Sequence, residues 1–167
     1  MITHLSQKKK HDIVVACPVM KNNKNISMIV RTAACFGASE VIITGNNKAN
    51  KHISRECDIP VTYKNSLSPV IKQYSSIGYR IVALEQGERT QSLYDYTVPL
   101  CPILVTMGSE ARGMDSDILA ASHEVVEIPL CGNPYSLNVA MSVSIFLHEI
   151  TKQLHSRGHV NLQGSAL

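Results

Sequence analysis

The sequence has no tryptophan and two phenylalanines among 167 residues, and charged residues make up 17% of it. No apolar run approaches the roughly 20 residues that span a bilayer, so no membrane segment is predicted. The first residues are polar and rich in lysine, without the apolar stretch of a secretory signal. We therefore expect a cytoplasmic protein with one globular domain over residues 1–167. Within it, residues 1–11 are predicted to form a basic tail and residues 159–167 a frayed one.

Several motifs that would assign a function are missing. The five cysteines form no C-x-x-C pair and the seven histidines are scattered, so no metal site is predicted. The nine glycines include no G-x-G pair, which excludes the dinucleotide-binding fingerprint. Segment 108–113 has the glycine spacing of a P-loop, but Met114 and Asp115 stand where that loop needs Lys and Ser or Thr. Ser136 lacks the G-x-S-x-G context of a serine hydrolase.

Positive charge is concentrated in the first third of the chain. Residues 1–55 carry nine Lys and Arg against two acids, whereas residues 56–167 carry seven against eleven. A basic end of this kind favours a polyanionic partner, with RNA or DNA as the first candidates. A solvated lysine tail remains the alternative on charge alone.

Short apolar runs alternate with helical segments along the chain. Strands are predicted at residues 12–17, 40–44, 61–63, 79–85, 103–107 and 124–128. Helices are predicted at 25–36, 48–57, 68–76 and 115–121, and a long last helix runs from Leu137 to Leu154 with Ser136 as its N-cap and Gly158 as its stop. This alternation is typical of a parallel α/β sheet covered by helices on both faces. Ligands of such sheets bind in loops beyond the carboxyl ends of the strands, here residues 86–95, 108–113 and 129–137.

Three segments carry polar residues in defined patterns. Residues 25–37 read N-x5-R-T-A-x2-F-G, residues 108–113 read G-S-E-x2-G, and residues 128–139 read I-P-x2-G-x3-S-L-N-V. In this order the segments resemble the three motifs of the SpoU/TrmH family of RNA ribose 2′-O-methyltransferases, within the SPOUT superfamily. The resemblance covers about residues 12–157. The strand end at residues 84–86 and the helix tail at residues 150–158 are also similar to the catalytic domains of eukaryotic tRNA guanosine 2′-O-methyltransferases.

This resemblance implies a parallel α/β fold whose C-terminal part forms a deep trefoil knot, with S-adenosylmethionine as the cofactor. The knot loops would correspond to residues 84–90, 108–113 and 128–138. Gly108 and Gly132 would let the backbone approach the cofactor closely. The implied substrate is RNA, either tRNA or rRNA, with a tRNA guanosine favoured, and the implied assembly is a homodimer. The cofactor-binding positions would be Leu84, Gly108, Ile128, Ser136 and Leu137.

The same motifs supply the candidate catalytic residues Arg31, Asn25, Glu110 and Asn138. Arg31 would bind a phosphate beside the target ribose, and the hydroxyl proton would pass to a phosphate oxygen or water, because a guanidinium is a poor base. Asn25 would either hold the ribose or cap its own helix, and Glu110 would fix Asn25 or Arg31. Asn138 is predicted just inside the last helix, where asparagine is disfavoured, which favours a role near the substrate. The candidate RNA-binding residues are Arg31, Arg112, Lys21 and Lys24, helped by the lysines of the N-terminal tail.

The last helix carries apolar residues on more than one face. One stripe would cover the sheet, so Val139, Ile145 and Phe146 are expected to need a second partner, and a two-fold dimer is the usual way to bury them. Two other functions stay open. A catalytically silent RNA-binding module is disfavoured by the complete set of motif residues, and a knotted methyltransferase acting on a base nitrogen is disfavoured by the S-L-N-V segment.

Overall fold

Seven parallel strands form one sheet in the order β3-β2-β1-β6-β4-β7-β5 in the computed structural model, which describes residues 12–49, 57–132 and 135–160. The strands are β1 (Ile13–Cys17), β2 (Glu40–Thr44), β3 (Val61–Lys64), β4 (Arg80–Leu84), β5 (Gln91–Ser92), β6 (Ile103–Met107) and β7 (Glu124–Glu127). The helices are α1 (Asn23–Cys35), α2 (Leu67–Ser76), α3 (Ser116–Ala121) and α4 (Val139–Ser156).

Side chains alternate between the two faces of the sheet, and each face has its own apolar cluster. From β1, Val15 and Cys17 belong to the cluster formed with α1 and α4, whereas Val14 and Ala16 belong to the cluster formed with α2 and α3. Burial raises the pKa of the Cys17 thiol to about 12, so this cysteine is an unreactive part of the core. No helix in the described part of the chain is long and apolar enough to cross a membrane.

The predicted parallel α/β architecture is confirmed, and the predicted strands appear with ends shifted by two residues at most. The sequence reading missed β5, because a two-residue strand shows no periodicity. Most of the helix predicted at residues 48–57 lies outside the described residues. The basic tail at 1–11 and residues 161–167 of the C-terminal tail lie outside them too.

The last helix begins two residues later than predicted. Asn138 is its N-cap, because its side-chain oxygen accepts hydrogen bonds from the backbone N–H groups of Ala140 at 2.9 Å and Met141 at 3.4 Å. The prediction of Ser136 as N-cap is therefore wrong, as is the placement of Asn138 inside the helix. Asparagine is favoured at an N-cap, so its presence there also has a local reason.

The exposed apolar surface of α4 differs from the predicted one. Phe146 is 0% exposed and Val139 is buried as well, so the expectation that they need a second partner is wrong. Ile145 is 40% exposed, and Met141 one turn earlier and Met28 on α1 are exposed too. The helices α1 and α4 pack together, so these three residues define an exposed apolar face, named here the α1/α4 face.

Candidate functional site

The carboxyl ends of β4, β6 and β7 meet at one edge of the sheet, and the loops that follow them enclose a cavity of about 550 Å³. Its volume lies within the range of roughly 300–1,000 Å³ that is usual for small-molecule sites. The structure brings together all five predicted cofactor-binding positions, because parallel strands end at the same edge and their loops converge there. Those lining residues are Leu84, Gly108, Ile128, Ser136 and Leu137.

Three motif residues form one hydrogen-bonded chain beside this cavity. The Asn25 amide nitrogen donates to Glu110 Oε1 at 2.5 Å, and the Asn138 amide nitrogen donates to Asn25 Oδ1 at 3.1 Å. Asn25 is 6% exposed, whereas Glu110 and Asn138 line the cavity. The first motif is therefore joined to the second and the third, which lie 85 and 113 residues away in sequence.

The side chain of Asn25 is not used as a helix cap. Asn22 caps α1 instead, because its side-chain oxygen accepts a hydrogen bond from the Lys24 backbone N–H at 2.9 Å. The capping role proposed for Asn25 is therefore wrong. Its amide nitrogen donates to Glu110 and its amide oxygen accepts from Asn138.

Glu110 is held in its ionised form. Partial burial disfavours its charge, but hydrogen bonds from its own backbone N–H, from the Asn25 amide and from the Lys21 backbone N–H outweigh this, together with the Lys21 charge. The pKa of Glu110 therefore lies below its usual value. At neutral pH this carboxylate is a fixed negative charge and an acceptor that orients Asn25.

Arg31 lies apart from this hydrogen-bonded chain. It is exposed on α1, lines neither cavity of the site and has no hydrogen bond or ion pair with the described residues. It follows Asn25 by six positions, which turns its side chain about 120° around the helix. Of the two partners predicted for Glu110, the structure shows contact with Asn25 and none with Arg31.

A second cavity of about 480 Å³ lies on the other side of the 108–113 loop, sharing Ser109 and Gly113 with the first. Two of the candidate RNA-binding residues, Lys21 and Arg112, line it. Neither forms an ion pair with any residue that the structure describes, although the Lys21 charge acts on Glu110. Lys24 is exposed near the start of α1 and lines neither cavity.

Glu85 is a cavity residue of the 84–86 strand end to which the sequence analysis assigned no role. Its carboxylate lies against the two glycines of the 108–113 loop. A Cβ at position 108 would collide with Glu85 Oε2 and would lie 2.9 Å from the Gly113 carbonyl carbon. Gly108 is thus required by packing within the protein, and not only by approach to a ligand. The available signal was an acid directly after a buried strand.

No group of three or more His, Cys, Asp or Glu within residues 12–49, 57–132 and 135–160 is arranged to hold a metal ion. The polar groups of the site come instead from amides, hydroxyls and the carboxylates of Glu85, Glu110 and Glu127. This donor set suits an organic ligand with hydrogen-bonding groups.

The match to the model of the SpoU rRNA methylase family covers residues 12–148, so the chain belongs to this family. An uncharacterized tRNA/rRNA methyltransferase from Mycolicibacterium gilvum is 28% identical over 84% of the chain. The chain spans 46% of the length of that relative.

Solved structures share the fold. The AdoMet-bound rRNA methyltransferase from Sinorhizobium meliloti has a TM-score of 0.73 at 24% identity, covering 86% of this chain and 57% of its own. A protein solved for the 2-OH methylation of C/U34 on tRNA has a TM-score of 0.72 at 22% identity, covering 89% of this chain and 99% of its own.

Proposed function

We propose that this chain methylates the 2′-hydroxyl of a ribose in structured RNA, with S-adenosylmethionine as methyl donor. The observation that carries the proposal is the hydrogen-bonded chain of Asn25, Glu110 and Asn138, which joins all three motifs beside one cavity. A tRNA guanosine in the cytoplasm is the favoured substrate, and rRNA is the second candidate. Both RNA classes occur among the activities named for the similar proteins.

The cavity fits the proposed cofactor. Leu84, Val126 and Ile128 offer an apolar wall for an adenine ring, while Ser136 and Asn138 offer hydrogen bonds. The carboxylate of Glu85 has one buried oxygen without a hydrogen-bond partner, as expected for a group whose donor comes with a ligand. When bound, S-adenosylmethionine supplies an electrophilic methyl group. The residues proposed to hold it are Leu84, Gly108, Ile128, Ser136 and Leu137.

The fold around this cavity supports the proposed trefoil knot. The loops expected to form the knot, at residues 84–90, 108–113 and 128–138, all contribute to the cavity lining. A knot of this kind would hold the three loops at fixed positions around the cofactor. It would thereby place the ribose oxygen and the methyl group in line for displacement.

The chain's own residues would position the ribose and stabilise charge. Asn138 uses one amide hydrogen on Asn25, which leaves its second one for the ribose oxygen. The Arg31 guanidinium would bind the phosphate next to that ribose through two parallel hydrogen bonds. Because a guanidinium does not give up its proton, the hydroxyl proton would go to a phosphate oxygen or to water. Lys21 and Arg112 would hold the RNA on either side of the second cavity.

The active form is proposed to be a homodimer that pairs through the α1/α4 face. This face exposes Met28, Met141 and Ile145 together, and apolar patches of this kind usually mark an interface. Arg31 lies one turn of α1 from Met28 and is exposed with it. Pairing would therefore place Arg31 at the subunit boundary.

Light scattering tests the pairing. Ile145→Glu puts a charge on the α1/α4 face and should convert a dimer into a folded monomer with little activity. The matched control is Ile77→Glu, because Ile77 is equally an exposed isoleucine but lies just after α2, on the other side of the sheet. This control should remain dimeric. Wild-type protein that is monomeric and fully active at micromolar concentration would refute the proposed dimer.

The reaction is tested by incubating the chain with methyl-labelled cofactor and separate tRNA and rRNA pools. A methylated 2′-oxygen cannot attack the neighbouring phosphate, so the product should survive alkaline hydrolysis as a labelled dinucleotide. Label released in a base-methylated mononucleotide would contradict ribose methylation. RNA binding without any transfer of label would favour the silent RNA-binding module instead.

A further inference from the structure

Glu85 is the polar side chain of the cofactor cavity that lacks a full set of partners. Its Oε1 accepts a hydrogen bond from the Gln86 backbone N–H at 3.0 Å. Its Oε2 is buried and has no hydrogen-bond partner within the described part of the chain. A buried carboxylate oxygen without a donor is costly, so such a group usually has a partner that the protein alone does not supply.

The surrounding loop fixes this carboxylate in one place. Gly108 leaves room for Glu85 Oε2, which a Cβ at that position would occupy. A Cβ on Gly113 would lie 3.1 Å from the same oxygen, and the positive φ of 66° at Gly113 also favours glycine. Two glycines of one motif therefore make space for the carboxylate of another loop. The carboxylate therefore has a fixed position in the wall of the cavity.

The neighbours of Glu85 indicate which part of the cofactor would meet it. Leu84 precedes it in the chain, and Val126 and Ile128 of the adjacent strand and loop complete an apolar wall suited to an adenine ring. A ribose attached to a base on this wall would lie beside Glu85. The carboxylate follows a parallel strand, where acidic residues of nucleotide sites bind ribose hydroxyls. Two other carboxylates line the cavity: Glu110 is already engaged by Asn25 and Lys21, and Glu127 has no buried oxygen left without a partner.

We infer that Glu85 recognises the cofactor by accepting hydrogen bonds from the two hydroxyls of its ribose. The inference rests on the proposed function, since it takes S-adenosylmethionine as the occupant of the cavity. It makes Glu85 a specificity-determining residue. The carboxylate would favour a ribonucleoside over a deoxynucleoside, while the apolar wall would select the base.

The test is calorimetric titration of the full chain with S-adenosylmethionine, adenosine and 2′,3′-dideoxyadenosine. Glu85→Ala should weaken the first two ligands about 10- to 100-fold, the range expected for hydrogen bonds to a charged group. Dideoxyadenosine should bind the variant and the wild type alike, because it lacks the hydroxyls. Glu85→Gln, which keeps an acceptor oxygen without the charge, should give an intermediate loss. Glu88→Ala is the matched control, since Glu88 is exposed in the same loop and lines no cavity of the site.

The outcomes separate this inference from the proposed function. Unchanged affinity of Glu85→Ala for all ligands, with the wild type binding S-adenosylmethionine, would overturn the inference alone. Weaker binding of S-adenosylmethionine with unchanged binding of adenosine would also overturn it, because Glu85 would then contact the charged end of the cofactor. Wild-type protein that binds none of the ligands would end both proposals. Thermal unfolding should show each variant folded, with at most a small loss of stability, because the hydrogen bond from the Gln86 backbone N–H to Oε1 is exposed and water replaces it.

Discussion

The two edges of the sheet use carboxylates in opposite ways. At the amino ends of the strands, three acids accept a hydrogen bond from a tyrosine hydroxyl each. The pairs are Tyr79 with Asp12, Tyr74 with Glu40 at 2.7 Å, and Tyr96 with Glu124 at 2.8 Å. Arg80 adds an ion pair to Glu124 at 3.1 Å. At this edge, the polar groups are used to hold neighbouring elements together.

At the carboxyl edge, several charged groups lack such partners. Glu85 has a buried oxygen without a donor, and Lys21 and Arg112 have no ion pair with the described residues. Both cavities lie at this edge. We interpret this difference as one between charged groups that stabilise the fold and charged groups that can bind a ligand. The three amino-edge carboxylates have their donors and stabilise the fold, whereas Glu85 is held in place with one oxygen that has no donor.

The tyrosine hydroxyls at the amino edge keep their protons over the neutral pH range. Burial, followed by the hydrogen bond to Glu124, raises the pKa of the Tyr96 hydroxyl far above its usual value. The pKa values of Tyr74 and Tyr79 are raised in the same way, by burial and then by their carboxylate partners. These hydroxyls therefore remain donors throughout the neutral pH range.

Removal of the Arg31 side chain should have the largest effect. Arg31→Ala should lower the rate of methyl transfer about 10²–10³-fold, the loss seen when a charge-stabilising donor is removed. Affinity for S-adenosylmethionine should be unchanged because Arg31 lines neither cavity, and stability should change by less than about 0.5 kcal/mol because the residue is exposed. Single-turnover kinetics and calorimetry measure the two quantities.

Arg89→Ala is the matched control, since Arg89 is also an exposed arginine and lines no cavity of the site. It should retain normal turnover. Loss of cofactor binding in folded Arg31→Ala protein would contradict the role assigned to Arg31. Equal losses of turnover in both variants would point to a general effect of charge rather than a specific phosphate contact.

The sequence predicts the edge of the sheet at which the site lies. It does not predict which residues of the site contact one another. Apolar runs of strand length and the loops after them place the three motifs at the carboxyl edge, because parallel strands end together. Whether Glu85 Oε2 has a hydrogen-bond partner depends on its distances to loop 108–113. These distances are set only when the sheet and its loops are packed. Likewise, adjacent residues Ile145 and Phe146 are equally apolar in sequence. The rotation of α4 against the sheet buries Phe146 and leaves Ile145 exposed.

A matched pair of substitutions compares the edges directly, starting with the carboxyl edge. Asn25→Ala removes the link between Glu110 and Asn138, so both lose a hydrogen bond that orients them. We expect methyl transfer to fall about 10²-fold, as for a small displacement of aligned groups. Stability should fall by about 1–3 kcal/mol, since partners of a buried amide are left without it. Rapid-quench kinetics and urea unfolding give the two numbers.

The amino-edge member of the pair is Tyr79→Phe, which removes one hydroxyl and leaves the ring packed against Tyr74, whose centroid lies 4.8 Å away. Asp12 is half-buried and is reached by water once the hydroxyl is gone, so the expected loss of stability is about 1 kcal/mol. The rate of methyl transfer and the affinity for S-adenosylmethionine should match the wild type, because no residue of this edge lines either cavity. A rate that falls as far as in Asn25→Ala would show that the amino edge also controls the site, and the division between a structural and a functional edge would fail.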